Sequence, residues 1–141
     1  MEGRRFYFFT AMQIVAVGLL LWQLLTWKTP WNAQRYIGSV LIVVGVSGIV
    51  LARFQLGRSF SIKAEAQALV TTGIYSKIRN PIYVFGLVML IGLILVLQKP
   101  GLWIVPVVVA VAQTIRAGKE ARVLDDAFGE QYREYRRKTW F

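Results

Sequence analysis

Charged residues divide the chain into four uncharged, largely apolar stretches, at residues 6–27, 36–52, 80–98 and 100–115. A helix needs roughly 20 apolar residues to cross the hydrocarbon core of a membrane, and about 17 at the lower limit. The first and third stretches reach this length, and the second is marginal. The fourth is short, but its helix can continue past Arg116, because the long arginine stem reaches the head groups. The first stretch is long for the apolar core of a signal peptide, so we expect a retained helix.

This pattern predicts an all-α membrane protein with four transmembrane helices, at about 6–27, 36–53, 81–98 and 101–117, followed by an amphipathic cytoplasmic helix at the C-terminus. We expect residues 1–141 to form a single integral membrane domain. Glycines recur in the second and third stretches, at Gly38, Gly45, Gly48, Gly86 and Gly92. Small residues of this kind allow close helix packing, although glycine is frequent in membrane helices in general.

The distribution of basic residues sets the predicted orientation. Of the 17 Lys and Arg residues, Lys28, Arg35 and Lys99 lie in the turns after the first and third stretches, and the other 14 lie on the opposite side. Because cytoplasmic loops carry an excess of Lys and Arg, we expect both termini and the middle loop in the cytoplasm. A pocket for a water-soluble ligand must then be built from the loop at 53–80 and the tail at 116–141.

The residue composition narrows the chemistry. The chain contains no Cys and no His, which excludes disulfides and thiolate chemistry and removes the commonest metal ligand, so we expect no metal site. The net charge of +10 would favour nucleic acid in a soluble protein. Here the basic residues flank apolar stretches, so membrane topology explains them better and nucleic acid is not an expected partner.

The end of the middle loop, residues 69–83, is polar although it leads directly into a membrane helix. Gly73 follows two threonines in a turn pattern, and it permits a left-handed backbone or the close approach of a ligand. Asn80 and Pro81 suit the N-cap and the first turn of the third helix. The free N–H groups at that helix end also favour a carboxylate ligand. Partial alternation between 63 and 70 fits an extended stretch, a hairpin or a helical turn.

The tail carries an amphipathic pattern. Four apolar or aromatic residues recur at helical spacing and form one stripe: Leu124, Phe128, Tyr132 and Tyr135. Glu134 and Lys138 are spaced for an ion pair on the opposite face. A basic amphipathic helix of this kind typically lies on the anionic inner leaflet. That role does not explain Glu120, because a carboxylate near the membrane exit of a helix is unfavourable without a partner.

Several short motifs follow one another along the chain: Gly73-Ile74-Tyr75, then Arg79-Asn80-Pro81-Ile82-Tyr83, then Glu120, and finally Phe128-Gly129 with Tyr132. Their order and spacing resemble the isoprenylcysteine carboxyl methyltransferase family and its relatives, the phospholipid (phosphatidylethanolamine) N-methyltransferases. The resemblance covers about residues 53–138. Asn80 departs from the His of the carboxyl methyltransferase pattern, although Asn-Pro-x-Tyr resembles the phospholipid branch. Ala121 stands where the second Glu of a pair is expected.

The resemblance implies a multi-pass membrane methyltransferase that uses S-adenosylmethionine and releases S-adenosylhomocysteine. The implied cofactor-binding residues are Leu69, Thr72, Gly73, Ile74, Tyr75, Arg79, Pro81, Arg116 and Glu120. The implied catalytic residues, which would face the reacting groups, are Asn80, Tyr83 and Arg79. The expected partners are membrane lipids and a lipophilic or lipidated substrate, whose acceptor group is a carboxylate or an amine. The alternative, which Ala121 favours, is a non-catalytic membrane scaffold or adaptor with the same fold.

Overall fold

The computed structural model describes residues 15, 18, 19, 21–23, 25, 26, 28, 30–60 and 69–141. The chain divides into two compact units, Met1–Asn32 and Ala33–Phe141. In the first unit, the described residues between 15 and 26 are helical, and the Thr26 hydroxyl donates to the Trp22 carbonyl oxygen over 2.8 Å, one helical turn back. Most of the predicted first helix, at 6–27, lies outside the described residues.

The described residues of the second unit, 33–60 and 69–141, form four α-helices, α1 (Ala33–Phe60), α2 (Pro81–Leu97), α3 (Ile104–Phe128) and α4 (Glu130–Lys138), with short 3-10 turns at Gly73–Ser76 and Pro100–Trp103. Every regular element in the described part of the chain is helical, which confirms the all-α prediction. The segments Ala33–Gly57 and Pro100–Phe128 are long and apolar enough to cross a membrane. α2 is apolar throughout its 17 residues, and this length is the lower limit for a span.

Two of the predicted helices have other bounds in the structure, and both extend further toward the C-terminus than predicted. The helix predicted at 36–53 begins at Ala33 and continues to Phe60, so residues 54–60 belong to the helix and not to the loop. Gly57 is the weakest helix former in residues 54–60, and a single glycine inside a helix costs only about 1 kcal/mol. The extended stretch, hairpin or turn predicted for 63–70 lies largely outside the described residues. The third helix matches its prediction to within one residue, because Gln98 adopts a left-handed conformation (φ 53°) that ends it.

The helix predicted at 101–117 continues without a break to Phe128. Glu120 therefore lies on the same rigid element as Arg116, and is not part of a separate tail helix. Gly129, at φ 54°, ends α3, as glycine often does at helix C-termini. The prediction that Leu124, Phe128, Tyr132 and Tyr135 form one stripe on a single helix is wrong. The first two residues belong to α3 and the last two to α4.

α1 and α2 pack closely through glycine. Gly38, Gly45 and Gly48 are buried on one face of α1. A Cβ atom added to Gly92 would lie 2.6 Å from the Gly38 carbonyl oxygen and 2.8 Å from the Ile42 nitrogen. Only glycine permits this approach of two backbones, so these positions confirm the packing prediction. The packing prediction does not hold at Gly86, because the nearest atom to a Cβ added there is 3.8 Å away, an ordinary van der Waals distance.

We expect Gly92→Ala to destabilise the protein by about 1–3 kcal/mol, because the new methyl group would force the α1 and α2 backbones apart. The matched control is Gly118→Ala on α3, where an added Cβ meets no atom within 4 Å. That control should gain about 0.5–1 kcal/mol from the better helix propensity of alanine. Thermal unfolding of detergent-purified protein, followed by circular dichroism, compares the two. Equal stability of both variants would contradict the packing described.

Candidate functional site

The turn at Gly73–Ser76 is held against the end of α1 by one side chain. Gln55 accepts a hydrogen bond from the Ile74 backbone N–H through its Oε1 atom, over 2.9 Å. Gly73 has a left-handed backbone, with φ 62°, and a Cβ atom there would overlap the Gln55 side-chain amide. Both constraints require glycine. The sequence predicted the glycine but not Gln55, which carried no motif and no periodicity.

The same turn is tied to α4. Tyr75 is buried, with 7% of its surface exposed, and its carbonyl oxygen accepts a hydrogen bond from the Tyr135 hydroxyl over 2.7 Å. Burial raises the pKa of Tyr75. Burial also raises the pKa of Tyr135 to about 12, an effect that the nearby positive charge of Arg79 opposes. The Tyr135 hydroxyl therefore remains a protonated donor at neutral pH, and α4 is fixed to the turn.

Backbone pairing closes the loop before α2. The Trp140 N–H donates to the Lys77 carbonyl oxygen over 2.8 Å, and the Arg79 N–H donates to the Trp140 carbonyl oxygen over 3.0 Å. The Asn80 N–H donates to the Phe141 carbonyl oxygen over 2.9 Å. Ile78 and Trp140 thus form a parallel β-bridge. Such a short pairing has no periodicity in sequence, so it was not predicted.

Two of the predicted site residues meet directly. The Tyr83 hydroxyl, in the first turn of α2, donates to Oε1 of Glu120 on α3 over 2.6 Å. Arg116, one turn before Glu120, lies within electrostatic range of the same hydroxyl. On the Glu120 face of α3, an open, shallow surface depression is lined by Lys119, Glu120, Val123 and Leu124. The sequence offered no evident partner for Glu120, and the structure shows that Tyr83 is one.

The other predicted residues have mainly structural surroundings. Asn80 precedes α2 as predicted, but its side chain makes no capping hydrogen bond. Its backbone N–H donates to Phe141, and its carbonyl oxygen accepts hydrogen bonds from the N–H groups of Tyr83 and Val84. Pro81 is fully buried. Leu69 is half-buried, and Thr72 is exposed at the side chain while its carbonyl oxygen accepts the Tyr75 N–H over 3.2 Å.

The site residues therefore form two groups. The turn group contains Gly73, Ile74, Tyr75 and Arg79, and it is held by Gln55 and Tyr135. The second group contains Tyr83, Arg116 and Glu120, and it joins the start of α2 to the middle of α3. The short segment 80–82 connects them along the chain. Carboxylate and guanidinium groups of this kind can bind a small ligand that carries charges of both signs.

Comparison with known proteins identifies the family of the chain. The model of the phospholipid methyltransferase family matches residues 33–131, which is more than half of the 141 residues. No curated protein and no solved structure matches the chain. The matched range contains α1, α2, α3 and every predicted site residue. The chain belongs to the phospholipid methyltransferase family.

Proposed function

We propose that the protein is an S-adenosylmethionine-dependent methyltransferase that acts on a lipid or lipophilic substrate at the cytoplasmic face of a membrane. Family membership supports a membrane methyltransferase. The observation that carries the finer proposal is the 2.6 Å hydrogen bond between Tyr83 and Glu120. It joins Tyr83, at the start of the third predicted span, to Glu120 on the α3 extension, and this contact supports a site shared by the two elements. We also propose four transmembrane helices with both termini in the cytoplasm.

The charged groups of the site fit the cofactor. S-adenosylmethionine carries an ammonium group, a sulfonium, a carboxylate and a ribose diol. An ionised carboxylate offers about four acceptor positions, so the single hydrogen bond from Tyr83 leaves Glu120 able to bind the ammonium or the diol. Arg116 and Arg79 are the cations available for the cofactor carboxylate, and a guanidinium binds a carboxylate with two parallel hydrogen bonds.

The turn group contributes shape more than hydrogen bonds. The Ile74 N–H already donates to Gln55, and the Tyr75 N–H already donates to Thr72. Tyr75 is itself buried. We therefore propose that Gly73, Ile74 and Tyr75 form a fixed wall against which the cofactor lies, with Leu69 and Thr72 at its edge.

When bound, the cofactor supplies an electrophilic methyl group on a positively charged sulfur. The residues of the chain need to align the acceptor with it and exclude water, and alignment alone supplies roughly 7–11 kcal/mol of the barrier reduction. A carboxylate acceptor needs no general base. An amine acceptor must first lose a proton, and the candidates to accept it are Glu120, to which Tyr83 is hydrogen-bonded, a tyrosine or a lipid phosphate. Asn80 and Tyr83 stand at the start of α2, where a lipophilic acceptor would arrive from the bilayer.

Calorimetric titration of detergent-purified protein with S-adenosylhomocysteine tests the proposal. We expect saturable binding with one site per chain. The absence of binding at millimolar ligand would instead favour the non-catalytic scaffold, for which the replacement of the second Glu by Ala121 is the specific argument. A labelled cofactor incubated with the protein and a membrane lipid extract then identifies the methylated product and its acceptor group.

A further inference from the structure

The last turn of α4, together with Trp140 just beyond it, forms an exposed basic and aromatic surface. We call it the α4 surface, and it consists of Arg136, Arg137, Lys138 and Trp140. The side chains of Arg137 and Lys138 are 72% and 70% exposed, and Trp140 is 65% exposed. Arg137 and Lys138 have acidic partners on the same helix, at 3.4 Å and 2.6 Å. Ion pairs this exposed contribute little to stability, so both cations remain able to bind another anion.

Two aromatic residues of α4 face the protein. Tyr132 is buried and Tyr135 is half-buried, and the Tyr135 hydroxyl donates a hydrogen bond to the Tyr75 carbonyl oxygen. The three consecutive cations in the last turn are all exposed. α4 contains four basic and two acidic residues, so its net charge is positive.

We propose that the α4 surface binds anionic phospholipid head groups, and that this binding tightens the cofactor site. The charges are complementary, because juxtamembrane clusters of Lys and Arg attract anionic lipids. An exposed tryptophan beside them is the side chain that prefers the boundary between head groups and hydrocarbon. α4 follows α3, whose N-terminal half contains most of the span predicted at 101–117, so the α4 surface lies on the predicted cytoplasmic side of that span.

The backbone pairing connects the α4 surface to the site. Trp140 exchanges hydrogen bonds with Lys77 and Arg79, and Phe141 accepts one from Asn80. A lipid that holds Trp140 in place therefore also holds the residues that lead into Tyr83. By linkage, anything that stabilises the paired arrangement raises cofactor affinity by the same factor with which cofactor raises lipid affinity. This second part of the inference rests on the proposed function, whereas lipid binding does not.

The first test measures S-adenosylhomocysteine affinity for the full chain in two nanodiscs, one of phosphatidylcholine alone and one of equal parts phosphatidylcholine and phosphatidylglycerol. We expect the wild-type dissociation constant to be about 5-fold or more lower in the anionic disc. The double variant Arg136→Gln/Arg137→Gln should lose this difference. The matched control, Lys28→Gln/Lys99→Gln, removes the same charge from the turns predicted on the opposite face and should keep it. Equal affinities in both discs, or a double variant that responds like wild type, would overturn the coupling.

The second test does not depend on the cofactor. Brominated phosphatidylglycerol and brominated phosphatidylcholine are compared as quenchers of tryptophan fluorescence, and the contribution of Trp140 is the difference between wild type and Trp140→Phe. We expect stronger quenching of Trp140 by the anionic lipid, lost in Arg136→Gln/Arg137→Gln. Equal quenching by both lipids would refute the α4 surface as an anionic lipid site. A failure of cofactor binding in every disc would count against the proposed function. The quenching measurement alone would then test whether the α4 surface binds anionic lipid.

Discussion

Glu120→Gln is expected to raise the dissociation constant for S-adenosylhomocysteine roughly 10- to 150-fold, because hydrogen bonds to charged groups contribute about 1.5–3 kcal/mol. Glutamine keeps the size of the side chain and can still accept the Tyr83 hydroxyl hydrogen bond seen at 2.6 Å. Only the negative charge is lost. Since Glu120 is exposed, the unfolding temperature should stay close to that of wild type, and calorimetry reports the affinity directly.

Two further variants separate the charge from its surroundings. Asp126→Asn removes a carboxylate from an exposed position of the same helix and should leave the affinity unchanged. Tyr83→Phe removes the hydroxyl but keeps the charge, so its loss of affinity should be smaller than that of Glu120→Gln, about the 0.5–1.5 kcal/mol of one ordinary hydrogen bond. If Glu120→Gln binds as tightly as wild type while Asp126→Asn does not, the pocket is misplaced.

The sequence predicted the helices better than their ends. Apolar length locates a membrane-spanning core, so α2 was predicted to within one residue. The same criterion ends each predicted helix at the first charged residue, whereas a real helix can continue past a charge. α3 continues past Arg116 because nothing before Gly129 breaks it, and α1 continues past Arg53 to Phe60 for the same reason. For α3, the left-handed backbone of Gly129, and not polarity, decides where the helix ends.

For the site, too, the sequence predicted some features and missed others. Topology alone predicted that the loop end and the carboxylate of Glu120 lie on the same side, and the structure adds that Tyr83 is the residue that meets it. Gln55 is 19 residues from its partner Ile74, and a single polar side chain at the end of an apolar helix has many possible partners. The pairing of Trp140 with Lys77 and Arg79 depends on how α4 folds back. Contacts of this kind come from tertiary packing and have no local pattern.

Gly73→Ala is expected to weaken cofactor binding at least 10-fold and to lower stability, for two independent reasons. Alanine at φ 62° adopts a left-handed conformation that costs about 1–2 kcal/mol for a residue with a side chain. Its methyl group would also overlap the Gln55 side-chain amide, and overpacking of this kind typically costs about 1–3 kcal/mol. The turn must then move away from α1, and the wall of the proposed cofactor site moves with it.

A double-mutant cycle distinguishes the two costs, and this makes the prediction specific to the geometry of the site. Gln55→Ala alone should weaken binding, because the Ile74 N–H loses the acceptor seen at 2.9 Å. In the double variant, however, the overlap is absent, so Gly73→Ala should cost less than it does beside Gln55. The two changes should therefore be non-additive by about 0.5–3 kcal/mol, the range measured for residues in direct contact. Gly118→Ala combined with Gln55→Ala provides the additive reference, since nothing lies within 4 Å of a Cβ at Gly118. Strict additivity of Gly73→Ala and Gln55→Ala, in both unfolding temperature and S-adenosylhomocysteine affinity, would mean that Gln55 does not hold the turn.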